Sequence, residues 1–411
     1  MVLNFIEVIF FFYIFVSLYM VCLMLLIYIP NRKKIFEYPK GKPEPVSIIV
    51  PCFNEGAHLG KAIESYLSLD YPKNMIEVIV VDDMSSDNSV EIARRYEKKY
   101  KNVRVIVNSR NSGGAAEPTN LGIKAAKYNY IAVADADSEP NRDALLKMIG
   151  FLQEDKSVVG VTCSVLSKEP STFIQKLQAV EYAVIAWGRK LLDMVDAVYV
   201  TPGPFALYKK KVLIEVGLFD TKNMTQDIEI VWRLLYHGYK VRMSLDTAVY
   251  SATPFKFKKW FRQRVRWNIG GTQTLIKYKS TFFKKGMLGA FILPYFSMSL
   301  FLGLLGLALF IYLSLRNLFI FYMSTRYSLY ADSALIHFQA LNFAPSILNL
   351  FGVSLFIVGT IFTLIGIEVM KRHKMYHNLF NVLFYLTIYL TIYPFIMVTS
   401  LYRLSTGTYK W

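Results

Sequence analysis

The sequence predicts an α/β domain built on a mostly parallel sheet, joined to an α-helical membrane region of four spans. Two observations carry this expectation. Hydrophobic residues make up 54% and aromatic residues 15% of the 411, and the mean hydropathy is +0.32. A soluble domain carries about 45–50% apolar residues, so several bilayer spans beside one soluble domain are implied. From residue 45 to residue 250, β-branched apolar runs alternate with helical stretches, the pattern of a wound sheet.

The spans come first. Residues 3–29 hold Glu7 as their one charged residue, residues 288–315 and 345–367 are uncharged or nearly so, and residues 379–401 are uncharged. Each stretch can cross ~30 Å of hydrocarbon at ~1.5 Å per residue. The expected organisation is a membrane helix over 1–30, the α/β domain over 45–250, interfacial helices over 251–286 and three further spans over 287–411. The first stretch reads as a retained span, because a cleaved signal would be shorter, with a basic start and a small-residue cleavage site. Arg32, Lys33 and Lys34 follow it, Lys277, Lys279, Lys284 and Lys285 precede the second span, and Lys371, Arg372 and Lys374 lie between the third and fourth. With four spans all three clusters fall on one side, which the positive-inside rule assigns to the cytoplasm together with the α/β domain. Both termini and a loop over 316–344 are then expected outside.

The net charge of +17, from 47 basic and 30 acidic residues, raises nucleic acid as a partner. Its placement beside membrane segments favours anionic lipid instead. Cys22, Cys52 and Cys163 are scattered without metal-ligand spacing, as suits a reducing compartment. The histidines His58, His237, His337, His373 and His377 show no ligand spacing with a cysteine, so zinc is not expected.

Within the α/β domain, strands are expected over 46–50, 76–81, 103–107 and 130–134, with helices over 58–68 and 88–99. In wound sheets ligands sit outside the carboxyl ends of the strands. Three polar blocks begin there: 52–55, 82–87 and 135–137. Carboxylates and a diphosphate repel one another unless a cation intervenes. The Asp135-Ala136-Asp137 block is therefore expected to hold Mg²⁺ or Mn²⁺ through Asp137, hard oxygen suiting such ions. Asp135 and Asp83 are the candidate nucleoside contacts, with Pro51, Asn54, Glu55 and Asp82 completing the donor pocket. No P-loop motif occurs. Residues 111–116 form a small-residue turn before a helix expected from Pro118; it either approaches a nucleotide or is a plain turn. Two more blocks follow: Thr225-Gln226-Asp227, and Gln263 to Trp267 with Arg266 between them.

Together these five blocks resemble the family-2 glycosyltransferases of GT-A fold, in the processive membrane branch that includes cellulose, chitin, hyaluronan and poly-N-acetylglucosamine synthases. The resemblance covers residues 45–267 and the arrangement of spans. It implies a nucleotide-sugar donor, a UDP-linked hexose or N-acetylhexosamine, held with its metal at Asp83, Asp135 and Asp137, and a catalytic base at Asp227. It also implies diphosphate and acceptor contacts from Thr225, Gln226, Gln263, Arg266 and Trp267. Inverting transfer independently needs a base for the acceptor hydroxyl and a cation near the leaving diphosphate, roles that suit Asp227 and Arg266. Trp267 offers a flat face to a sugar ring.

Two departures stand out: Gln226 replaces the family's usual Glu, and Gly114 stands where a Lys is common. Residues 170–194 carry Phe173, Leu177, Val180, Val184, Trp187 and Leu191 at helical spacing, which fits either a membrane-surface helix or a core helix. Residues 201–206 resemble the family's loop beneath the acceptor. The expected activity is growth of a β-linked polysaccharide with membrane export. The alternatives are a single transfer to a lipid-linked acceptor and a non-catalytic transporter or scaffold.

Overall fold

The computed structural model describes residues 5–331, 347–373 and 378–409. Helix α1 (Phe5–Asn31) precedes an alternation of β1 (Val46–Cys52), α2 (Leu59–Leu67), β2 (Ile76–Asp82), α3 (Ser89–Lys99), β3 (Val103–Val107), α4 (Ala116–Ala125) and β4 (Tyr130–Ala134). There follow β5 (Ser138–Pro140), α5 (Ala144–Glu154), β6 (Val158–Ser167), α6 (Phe173–Asp193), β7 (Phe205–Lys209), α7 (Lys210–Glu215), α8 (Gln226–Tyr236) and β8 (Lys240–Ser251). Helices α9 (Phe257–Tyr278), α10 (Leu293–Tyr330), α11 (Ile347–Met370), α12 (Leu379–Phe384) and α13 (Tyr393–Thr406) complete the chain.

The eight strands form one sheet in the order β3-β2-β1-β4-β7-β6-β8-β5. Strands β3, β2, β1 and β4 are mutually parallel, and β7 joins β4 antiparallel. All seven residues of β2 are buried, as a strand covered on both faces requires. The chain order reverses between β1 and β4, so the crevice for a ligand opens above their carboxyl ends. Register makes that crevice: Cys52 lies opposite Asp82, so the loops after β1 and β2 leave side by side.

Four helices are long and apolar enough to cross a membrane: Phe5–Asn31, Leu288–Tyr330, Leu350–His373 and Leu379–Thr406. The second exceeds the expected span. Residues 316–330 continue α10 as helix and not loop, since neither Pro nor Gly interrupts the chain after Gly306 there and nothing stops the ladder. The remainder of the expected outer loop, and Lys374, lie outside the described residues. The fourth span is broken. A π-helical turn over Tyr385–Tyr389 and a 3-10 turn over Leu390–Ile392 separate α12 from α13, beside Pro394, which has no N–H to continue the ladder.

Core packing, and not a membrane surface, accounts for α6. Leu177, Val180, Trp187 and Leu191 are buried. Trp187 packs on Phe362 of α11 at 4.3 Å and edge-on to Tyr28 of α1 at 5.5 Å between ring centres. A side chain at Gly366 would meet its ring, so the glycine admits the indole. The end of α11 is fastened to β8: Arg372 pairs with Asp246 at 2.6 Å and His373 Nε2 lies 2.8 Å from the Leu245 carbonyl. Three of the four spans and the sheet therefore share one core.

Candidate functional site

The first two polar blocks are knitted into one surface. The Ser86 N–H donates to Asn54 Oδ1, Asn54 N–H to Ser85 Oγ, and Glu55 N–H to Ser89 Oγ, each at 2.8–2.9 Å. Asn54 and Met84 adopt positive φ, 56° and 66°, which turns both loops back over the strand ends. Asp83 is buried and accepts from Asn108 Nδ2 and from the Ser112 N–H and hydroxyl. It thereby pins residues 108–112 beside the crevice. Asp82 is buried as well and accepts from the Ser85 N–H, so it shapes the loop from below.

Asp135 and Asp137 leave the end of β4 half-buried. Tyr66 Oη donates to the Asp135 carbonyl at 2.6 Å, and Ser138 Oγ to Asp137 Oδ1 at 3.0 Å. Burial, then Asp137 and Asp227, pushes the Asp135 carboxyl up to about 8. Burial, then Asp137 and Asp87, pushes Glu55 up to about 7. Crowded carboxylates of this kind want a positive partner.

Arg266 is one such partner. It lies within the fields of Asp227 and Asp135, and its Nη1 donates to the Met224 carbonyl at 3.3 Å. Its placement depends on a glycine one helical turn away. A Cβ at Gly270 would stand 2.1 Å from Thr225 Oγ1, so only glycine lets α9 press against the start of α8. Thr225 is buried in that contact, its N–H donating to Asn223 Oδ1, and it sets the helix approach. Asp227 lies in the first turn of α8 and accepts the Ile228 N–H at 3.1 Å. Burial raises its carboxyl and Arg266 opposes that rise.

Residues 47–217 match the family model described as glycosyl transferase family 2. Over those residues the α/β domain is similar to glycosyl transferase family 2. The chain is 31% identical over 235 residues to the poly-beta-1,6-N-acetyl-D-glucosamine synthase of Staphylococcus aureus strain COL, covering 57% of this chain and 56% of that protein. A second such synthase, from Staphylococcus epidermidis, is 31% identical over 250 residues, covering 60% and 59%. The chain thus spans little more than half the length of the curated relatives it matches. Among solved structures, mannosyltransferase PcManGT from Pyrobaculum calidifontis, in complex with GDP-Man and Mn2+, superposes with a TM-score of 0.55 at 15% identity over 97% of this chain and 99% of that one. That likeness is one of fold, and it extends through the helical region.

The α/β domain places further residues at the crevice that sequence reading missed. A cleft of about 300 Å³ opens beside Asp137, lined by His58, Lys61, Lys168 and Gln175 among others. Gly203 sits over Asp135, where a Cβ would come within 3.0 Å of its carboxylate. Arg189 of α6 is buried near Asp227, and its Nε and Nη1 have no hydrogen-bond partner among the described residues. Gln263 and Trp267 lie one helical turn apart on α9, and both contact Arg264. No sequence signal separates Arg189 from Lys176, Glu181 and Lys190 on the same helix, whereas a glycine pair inside a helical pattern marks Gly270.

Proposed function

We propose that this protein transfers a sugar with inversion from a nucleotide sugar to a growing β-linked glycan, with its catalytic domain on the cytoplasmic face. The observation that carries the reading is the convergence of Asp135, Asp137, Asp227 and Arg266 above the sheet's switch point. An N-acetylhexosamine on UDP is the favoured donor, because the matched relatives are poly-beta-1,6-N-acetyl-D-glucosamine synthases.

The roles follow from charge. Asp83, Asn54 and Glu55 line the nucleoside end, with Asp135 beside them. No cluster of three acidic, His or Cys ligands occurs among the described residues. That fits Mg²⁺ or Mn²⁺ held by one or two carboxylates and completed by substrate phosphates, with Asp137 as principal ligand. Such an ion neutralises the departing diphosphate. The acceptor hydroxyl oxygen bonds to the anomeric carbon from the face opposite the diphosphate. Its proton passes to Asp227, and the broken bond's electron pair leaves with the diphosphate beside Arg266. Arg266 also opposes the burial that raises the Asp227 carboxyl, favouring its role as proton acceptor. Trp267 and Gln263 orient the acceptor sugar.

The test is incubation of purified protein in lipid with radiolabelled nucleotide sugars and Mn²⁺ or Mg²⁺. Label transferred from a single UDP-sugar supports the reading. No transfer from any nucleotide sugar, with free UDP or GDP still bound, would defeat it.

A further inference from the structure

Arg264, one residue after Gln263, neither faces the crevice nor contacts solvent. It is 1% exposed, and every part of its guanidinium is engaged. Nε donates to Glu181 Oε1 at 3.0 Å, and Nη2 to Glu181 Oε2. Nη1 donates to Gln263 Oε1 at 2.6 Å. The flat face of the cation lies 4.1 Å from the centre of the Trp267 ring. Glu181, on α6, is 2% exposed and fills its remaining acceptor positions from the last membrane segment: Tyr389 Oη donates to Oε2 at 2.7 Å and Tyr393 Oη to Oε1. Those tyrosines flank the broken stretch of the fourth span, where Tyr389 closes the π-helical turn and Tyr393 opens α13. Trp260 packs against Tyr389, their ring centres 4.9 Å apart and the rings tilted by 50°, and closes the network.

From this geometry we infer that Arg264 and Glu181 are positioning residues that set the two acceptor-contacting side chains, Gln263 and Trp267, and tie their orientation to the break in the last membrane segment. The inference rests on the reading of Gln263 and Trp267 as acceptor contacts. A carboxylate has about four acceptor positions, and a bidentate Arg fork with two hydroxyls uses them all, so Glu181 has no freedom to turn. A planar guanidinium can bond along its edge while stacking on its face; a lysine ammonium cannot do both. One charged group thus fixes the amide of Gln263 and the plane of Trp267 at once. Arg266 lies instead within the fields of Asp227 and Asp135, at the leaving group. A hydroxyl lost at Tyr389 or Tyr393 loosens Glu181, then Arg264, then the acceptor contacts, with no change at Asp137 or Asp227.

The experiment compares glycan transfer with hydrolysis of the donor by water, which needs no acceptor, in lipid-reconstituted protein. Arg264→Lys and Tyr389→Phe are the primary variants. Glu181→Met combined with Arg264→Met guards against misfolding, because it removes both buried charges together. For Arg264→Lys and the double variant, the expected result is at least about a tenfold loss of transfer, or an equal rise in acceptor KM, with donor hydrolysis and donor KM within about threefold of wild type. Tyr389→Phe should move the same ratio in the same direction by a smaller factor. If transfer and hydrolysis fall together in all variants that bind donor normally, or if neither falls, the inference is overturned. A wild-type protein that transfers nothing defeats the proposed function itself; an active wild type with an unchanged ratio in the variants defeats this inference alone.

Discussion

At the residue scale the account turns on four charged groups with separable roles. Asp227→Asn should reduce transfer by about a hundredfold to ten-thousandfold while leaving metal-dependent donor binding intact, because losing a base raises the barrier without removing ground-state contacts. Calorimetric titration beside turnover checks this; an equal loss of donor affinity would make Asp227 a binding residue. For Asp137→Ala the order reverses, and Mn²⁺-dependent nucleotide binding should itself collapse. Asp135 makes a prediction about pH. Its carboxyl titrates near 8 in the folded chain, against ~3.9 unfolded. Between those values the folded state holds a proton that the unfolded state has released, so its stabilising contribution is present at low pH and fades as pH rises through that window. The unfolding temperature of chelator-treated protein in detergent should therefore fall from pH 5 to pH 8, and Asp135→Asn should flatten that slope. Asp135 and Asp137 were legible in the sequence because they stand directly after β4, and Asp227 because it ends the Thr225-Gln226-Asp227 block. Arg264 and Glu181 were not: they lie 83 residues apart, and only the packing of α9 on α6 reveals the pair.

At the element scale the decisive contact is α9 against the start of α8. Gly270→Ala should force α9 away from Thr225, costing about 1–3 kcal/mol as an overpacked core does, and should lower transfer by displacing Arg266. Gly271→Ala is the matched control. Nothing lies within 4 Å of a Cβ there, so it should be neutral or stabilise the helix by up to about 1 kcal/mol. Thermal unfolding and transfer rates of the two variants give the comparison, and equal behaviour would remove the close approach from the account. Helix α6 shows how far pattern reading goes. Its apolar spacing fits a bilayer surface and a core equally well, and the choice was made by Trp187, which needed partners on α1 and α11 that no local pattern identifies. The break in the fourth span was half legible. Pro394 marks it, but the π-helical turn preceding it depends on where Tyr389 finds Glu181.

At the scale of the whole molecule, three of the four apolar helices share a core with the sheet, and the fourth packs with α6 and α9. Helix α10 has 38 residues, a length of ~57 Å against ~30 Å of hydrocarbon, so a membrane-crossing α10 would carry its far end beyond the bilayer. Single cysteines at Tyr330 and at Lys285, in a chain with Cys22, Cys52 and Cys163 replaced, should label oppositely from outside intact cells, the first readily and the second not. Labelling of both would break the four-span topology. The central claim concerns the product. Wild-type protein in lipid, given its UDP-sugar and Mn²⁺, should make a water-soluble ladder of glycans, and Trp267→Ala should shorten that ladder far more than it slows donor hydrolysis. Sizing the labelled product is the most direct measurement: a lengthening ladder that vanishes in Asp227→Asn is the predicted result, and one discrete, organic-extractable species carrying a single sugar would contradict it.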